Sequence, residues 1–323
     1  MSVTLGDTKV AVSKGYELPW AGCAKLYDAD GLSIDKLFRE GGLDFQVVNV
    51  PVYTGNPDDG FTEIPNFRAT KRSDDGWVFN VGGTRRDEYQ TSEARELAEA
   101  VAGLGAKPVG ALSFEHGAKY AIELAREPFT VGPDTIQPYL FVSSSHDGSL
   151  STAIGWSDLV SVCYNTFMMN VGTAKSQVSV RHTASQRPRL AIAVEALAAH
   201  DQHLAAIRQN IEAMLSRKVS QKTALSIFEQ LFPMPENPDE AKRAATIAEK
   251  MRDLAGDIYN SDTIAEKRGT EWAVYNVATE ISNHHLTRKN TEANTAAENR
   301  SFALLFGTDR LAERTLELIA VNR

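Results

Sequence analysis

Between Tyr139 and Trp156 the chain reads YLFVSSSHDGSLSTAIGW, and the reading of this stretch decides the fold. Tyr139-Leu-Phe-Val142 and Leu150-Ser-Thr-Ala-Ile-Gly-Trp156 are rich in the aromatic and β-branched residues that suit strands. Asp147-Gly148 between them is a hairpin signal, because glycine takes the positive φ that a tight turn requires. The spacing predicts strand, tight turn, strand. The same letters set Ser145, His146 and Asp147 side by side and so raise the question of a hydrolase triad. A triad is a constellation in space, with a base reaching the nucleophile and a third group holding the base. Neighbours on an extended chain point to opposite faces, so three consecutive residues rarely form that relay. The Asp-Gly turn by itself accounts for a polar cluster at this place.

Working outward from the hairpin, short strand patterns continue upstream: 67–73 (FRATKRS), 76–83 (GWVFNVGG), Ala106–Phe114 and Lys119–Val131, the last with Pro128 as a bulge or edge residue. A helix is expected from Thr91 or Ser92 to about Gly103, since Leu97, Val101 and Leu104 recur at helical spacing. Gly82-Gly83 reads as a turn. Residues 1–65 are punctuated by Gly, Pro and Asp, and read as a segment that wraps a core without building one. Their one amphipathic piece, Ser33 to Glu40, is capped by Ser33 and stopped by Gly41-Gly42. Downstream, Ser157 is expected to cap a short helix through Met169, and 176–183 (SQVSVRHT) alternates like a strand. Pro188 then opens a long helix whose Leu190, Val194, Leu197, Leu204, Ile207, Ile211 and Leu215 form one apolar seam. Further helices are expected over Ser220–Phe232, Asp239–Tyr259, Ser261–Leu286 and Ala296–Val321. The fold class is therefore α+β: an N-terminal antiparallel β-rich α+β core followed by an all-helical C-terminal half. The expected division is 1–65, 66–186 with the hairpin at 139–156, and 187–323.

Composition narrows the function. The chain has 323 residues, is 42% hydrophobic and carries a formal charge of −8, a balance unlike that of a protein coated with basic surface. The charge is uneven: residues 1–170 hold 14 Lys and Arg against 23 Asp and Glu, whereas 171–323 hold 20 against 19. Residues 171–223 are locally basic, with eight Lys and Arg against three acids. That asymmetry marks either a polyanion-binding face or a solvated helix flank. Cys23 and Cys163 are the only cysteines and have no ligand-spaced partners, so neither a disulfide framework nor a zinc site is indicated. No apolar run has the length of a membrane span and the start lacks the layout of a secretory signal, so a cytoplasmic location without membrane contact is expected.

No phosphate-cradling loop, nucleophile elbow, metalloprotease helix or calcium loop occurs. His200 and His203 lie three apart on a helix but have no third ligand in reach, and adjacent His284-His285 diverge; no metal and no cofactor are expected. Arg85-Arg86 is balanced by Asp87-Glu88. Polar residues on otherwise apolar elements stand out instead: Asn165-Thr166, Arg181-His182-Thr183, and Thr270, Trp272, Asn276 and His284. Buried polar groups need partners, so Asn165, Thr166, His182, Trp272 and Asn276 are read first as a structural hydrogen-bonded network.

These residues, in their order, resemble the phage/plasmid-like protein family that contains the domain of unknown function 932. Pro19-Trp20-Ala-Gly22, Gly42-Leu-Asp-Phe45 and Ile64 through Asp74 carry the resemblance in the first quarter. Pro138-Tyr-Leu140, Val162-Cys-Tyr-Asn-Thr166, Arg181-His-Thr183 and Gly269-Thr-Glu-Trp-Ala273 with Asn276 extend it over nearly the whole chain. One departure is that the arginine the family shows shortly before Val-Cys-x-Asn-Thr is missing from Ser157-Asp-Leu-Val-Ser161. What the resemblance implies is a setting, the handling of a mobile element's own DNA, rather than a reaction.

Three readings follow. The first is a non-enzymatic, self-assembling protein of a phage or plasmid that binds or anneals single-stranded DNA in recombination or replication. Lys71, Arg72, Arg181, Arg187 and Arg189 would contact phosphates, and Trp156 or Tyr164 would stack bases. The second is an enzyme acting on nucleic acid or nucleotides, with His146, Asp147, Asn165 and His182 converging at the hairpin mouth, His182 as acid or base and Asn165 as an orienting donor. The third is a structural or host-interaction oligomer, which would leave an apolar patch open on the 188–217 helix.

Overall fold

The structure, a computed structural model, describes residues 9–13, 25–27, 32–83, 92–103, 105–160, 165–167, 177–180, 200–286 and 311–323. Its strands are β1 (Lys9–Ser13), β2 (Lys25–Tyr27), β3 (Val47–Asn56), β4 (Gly60–Arg72), β5 (Val78–Gly83), β6 (Lys107–Phe114), β7 (Lys119–Ala125), β8 (Phe129–Val131), β9 (Asp134–Ser145), β10 (Thr152–Val160), β11 (Asn165–Phe167) and β12 (Gln177–Val180). Its α-helices are α1 (Ile34–Glu40), α2 (Ser92–Ala102), α3 (His200–Ser216), α4 (Gln221–Leu231), α5 (Lys242–Tyr259), α6 (Glu271–Glu280) and α7 (Leu311–Val321). The arrangement is α+β, with antiparallel sheets first and helices after.

The Tyr139 to Trp156 stretch is the middle of the larger sheet, whose order is β11-β10-β9-β7-β6-β1-β2. β12 adds to β10, β8 adds to β9, and among the described strands only β1 with β2 is parallel. The hairpin differs from its sequence reading at both ends. Its connection is a six-residue loop, 146–151, rather than a two-residue turn, because the Ser145 hydroxyl holds both the N–H and the carbonyl of Leu150 and closes a wider ring. At the other end, the helix expected after Ser157 is strand. β9 begins at Asp134, so Ser157, Asp158, Leu159 and Val160 find partners in Tyr139, Pro138, Gln137 and Ile136, and strand pairing overrides the local cap signal.

Two further segments depart from expectation for similar reasons. Residues 47–72 are a long β-hairpin rather than loose chain, turned by Asn56, whose side-chain oxygen accepts from the N–H groups of Asp58 and Asp59. With β5 this hairpin makes a second sheet, ordered β3-β4-β5, and Gly82-Gly83 lie within it opposite Arg68 and Phe67 rather than in a turn. The 119–131 stretch is two strands, interrupted where Arg126 N–H donates to the Pro138 carbonyl. The 261–286 stretch is a 3-10 turn, then α6, then a π turn, with Gly269 at φ +78° between the first two. By contrast α1 and α4 start where their serines predict, Ser33 accepting from Lys36 N–H and Ser220 from Thr223 N–H.

Two cores result. One face of the large sheet, with Ala111, Tyr120, Ile122, Leu124, Leu140, Val142 and Ile154, packs against α1, α2 and the Phe45–Val47 and Phe79 region. The other core is helical: Ile207, Ile211 and Met214 of α3, Ile227 and Phe228 of α4, Tyr259 of α5 and most of α6. It also takes in Val131 and Ile136 from β8 and β9, so the sheet and the helices share a core. The β8–β9 turn enters this core closely. A Cβ at Gly132 would lie 2.5 Å from Leu215 of α3, and the residue is at φ +56°, so both the contact and the backbone select glycine. Among the described residues no helix is long and apolar enough to cross a membrane.

Candidate functional site

The hairpin loop, the β6–β7 turn and the β4–β5 connection meet at one end of the large sheet, here termed the mouth. Asn80 of β5 donates to the Asp147 carbonyl, and His146 N–H donates to the Ala118 carbonyl. The Ser-His-Asp run divides its three side chains among separate tasks. Ser145 ties the loop to Leu150. His146 is buried, with its ring among those of Phe45, Phe79 and Tyr120 at 5.6, 5.4 and 5.1 Å between centroids. Asp147 accepts from Ser149 N–H at 2.8 Å and stands 3.5 Å from the Lys119 ammonium. Burial pushes the Asp147 carboxyl up, but the Ser149 hydrogen bonds, the Lys119 charge and Ser145 outweigh it and hold the group below its ordinary value.

The β6–β7 turn is conformationally costly. Glu115, His116 and Gly117 all have positive φ, at +51°, +57° and +88°. Two non-glycine residues in that region are sustained by their contacts. Lys119 bonds both carboxylate oxygens of Glu115, and Trp77 stacks on the His116 ring at 3.8 Å. Arg72 donates to the His116 carbonyl, grips Asp74 through Nε and Nη2, and lies 3.9 Å over the Phe45 ring. The same guanidinium holds the Asp74 carboxyl below its usual range. Arg72, placed with the phosphate contacts by its sequence, is thus a buried structural residue that pins the small sheet to the turn.

The small sheet offers a different surface. Register puts Val50, Ala69 and Val81 side by side on one face, and Val48, Lys71 and Val78 beside them. Phe67, Val78 and Val81 are 45%, 49% and 50% exposed, and Trp77, at 46%, immediately precedes the cross-strand partner of Lys71. Phe67, Val78 and Val81 beside Lys71 form an exposed apolar platform with one aromatic ring and one cation, whereas Trp77, opposite Arg72, lies on the other face with its ring against His116. Sequence reasoning selected Lys71 but passed over Phe67 and Trp77.

The remaining candidates are scattered. Trp156 pairs with Leu140 in the middle of β10, but its side chain, like Tyr164, Arg181, Arg187, Arg189 and His182, lies outside the described residues. Val180, the last described residue before Arg181, pairs with Thr152 at the mouth. Asn165 pairs with Val160 at the opposite end of β10. Eight residues of strand put it about 26 Å from the mouth, too far to join His146 and Asp147 in one site. Asn165 and Thr166 lie instead on β11, beside α6. Within α6, Asn276 donates to the Trp272 carbonyl at 2.8 Å, and the Trp272 indole donates to Asp134 Oδ2 at 2.7 Å. Asp134 Oδ1 takes the Lys267 ammonium at 2.6 Å, and all three side chains are buried. Trp272 and Asn276 were singled out by the sequence, but Asp134 and Lys267 were not, since Asp134 lies over 130 residues from both Lys267 and Trp272. Ile207, Ile211 and Met214 of the α3 seam pack into the molecule's own core, while the 188–199 part of the 188–217 helix invoked by the third reading lies outside the described residues. Among the described residues no three His, Cys, Asp or Glu side chains gather for a metal ion.

Compared with known families, residues 83–303 match the model of the Domain of unknown function (DUF932). No curated protein and no solved structure shows significant similarity to the chain.

Proposed function

The chain belongs to the DUF932 family, and we propose that it is a non-enzymatic single-stranded DNA-binding protein of the annealing type, serving recombination or replication of a phage or plasmid in the host cytoplasm. The observation that carries this reading is the open platform of Phe67 and Lys71, with Val78 and Val81 beside them, on one face of the small sheet. Every base has a π-face, so exposed rings on a sheet take bases without regard to sequence, while a nearby ammonium takes the phosphate. A duplex hides those faces, which gives the single strand its advantage. Residues 171–223, with Arg181, Arg187 and Arg189, supply further positive charge. The acidic total is compatible with this, since binding requires only a basic stripe beside the platform. Asn165 at the far end of β10 from His146 and Asp147 favours the binding reading over the enzymatic one.

The test is fluorescence-polarisation titration of single-stranded and duplex oligonucleotides of equal length at two salt concentrations. The expected result is salt-sensitive preference for the single strand. Phe67→Ala should weaken it by about 1–3 kcal/mol, roughly 5- to 150-fold in Kd. Lys71→Ala should reduce the salt slope by about 0.7. Absence of binding at low salt, or equal binding by Phe67→Ala, overturns the proposal.

A further inference from the structure

Beyond Pro51 the β3–β4 hairpin projects as an exposed ribbon, every residue from 53 to 63 being exposed. Tyr53 pairs with Glu63 and Gly55 with Phe61, so Tyr53 and Phe61 share one face of the ribbon as diagonal neighbours. They are 53% and 64% exposed. A lone two-stranded ribbon is marginally stable in water, and two large rings on one such face call for a covering surface. The charge says which kind. Residues 51–67 contain Asp58, Asp59 and Glu63 and no Lys or Arg, which repels a polyanion and suits a basic protein surface.

The chain itself carries a surface of that description. Where α3 passes into α4, Lys218 and Lys222 are exposed, and residues 218–225 include no acid. Among the described residues neither lysine enters an ion pair, in contrast to Arg217, which holds Glu271. Leu225 lies one turn beyond Lys222 on the same face of α4 and is 38% exposed. The corner thus pairs two exposed cations with an exposed aliphatic side chain, the complement of two tip carboxylates backed by two exposed rings. The corner is rigid, because Lys218 bridges to Thr270 and Ser220 caps α4.

We propose that the β3–β4 arm of one copy docks on the α3–α4 corner of a second copy, with Asp58 and Asp59 against Lys218 and Lys222, and Tyr53 and Phe61 against Leu225. The two surfaces differ, so the contact is head-to-tail and repeats from copy to copy, closing into a ring or extending as a filament. It is independent of the DNA-binding reading and is tested without DNA.

The experiment is light scattering after size exclusion on the full chain, whose monomer mass is 35.3 kDa. Wild type should run as an oligomer whose mass falls with added salt. Asp58→Lys with Asp59→Lys, and separately Lys218→Glu with Lys222→Glu, should each give monomer with unchanged circular dichroism, since all four side chains are exposed. Combining the four substitutions in one chain should restore the oligomer. A monomeric wild type, an oligomer indifferent to either reversal, or a combination that stays monomeric overturns the proposal.

Discussion

Replacing Asp134 with alanine removes one carboxylate and leaves two buried donors behind. The Lys267 ammonium, 2% exposed, loses its partner at 2.6 Å, and the Trp272 indole N–H, in a fully buried ring, loses its acceptor at 2.7 Å. Stranding one member of a buried ion pair costs about 3–5 kcal/mol. A buried donor without an acceptor costs about 1–3 kcal/mol. Because both losses come from one side chain they do not add in full, and the expected destabilisation of Asp134→Ala is about 4–6 kcal/mol. That is a large share of the ~5–15 kcal/mol by which domains are stable. Asp134→Asn with Lys267→Met removes both charges while keeping an acceptor for Trp272. Since buried pairs often exchange for apolar groups at little cost, the double variant should lie within about 2 kcal/mol of wild type. The assay is equilibrium urea unfolding followed by tryptophan fluorescence, comparing midpoints at constant slope. A loss below about 1 kcal/mol in Asp134→Ala, or a double variant no better than the single one, would refute the assignment of this cluster as the lock between sheet and helices.

Two other changes test the fold and its titration. Gly132→Ala combines about 1–2 kcal/mol for a left-handed non-glycine residue with overpacking against Leu215. Urea unfolding should show a loss of about 2–4 kcal/mol, and adding Leu215→Ala should not restore the backbone part; a neutral Gly132→Ala would contradict the turn geometry. Glu280 is pushed above the ordinary carboxylate range by burial, against the opposing hydrogen bond from Thr263 and the charge of Lys267. The folded chain therefore keeps this proton where the unfolded chain has lost it, so its contribution to stability falls as pH rises from the ordinary carboxylate value through the raised one. Glu280→Gln should abolish that fall, so that unfolding free energies of variant and wild type diverge above the ordinary value; parallel curves across pH 4–8 would exclude it.

Much of this architecture was legible locally. Alternation and Asp147-Gly148 marked the central hairpin, serines marked the starts of α1 and α4, and the change from period two to helical spacing marked the passage from sheet to helices. These are short-range signals, set by backbone sterics and by which face of an element is apolar. The sequence also exposed the basic run at 171–223 and the family resemblance, and it singled out Lys71. What required the tertiary structure were outcomes settled by partners far away in the chain. The length of β10 depends on where β9 begins, so a segment with a helix-cap signal becomes strand. Arg72 is structural because Phe45, Asp74 and the His116 carbonyl surround it, whereas Lys71, its neighbour in β4, is on the face those groups do not cover. Asn165 and the hairpin mouth are separated by the full span of one strand, a distance that no spacing in the sequence reveals. Asp134, Lys267 and Trp272 become a single buried cluster only when the β8–β9 turn enters the helical core. Local preferences are worth tenths of a kcal/mol to about one per residue, while long-range pairing and burial are worth several at one site. For that reason the elements could be read from the sequence, and their boundaries and the tasks of their polar residues could not.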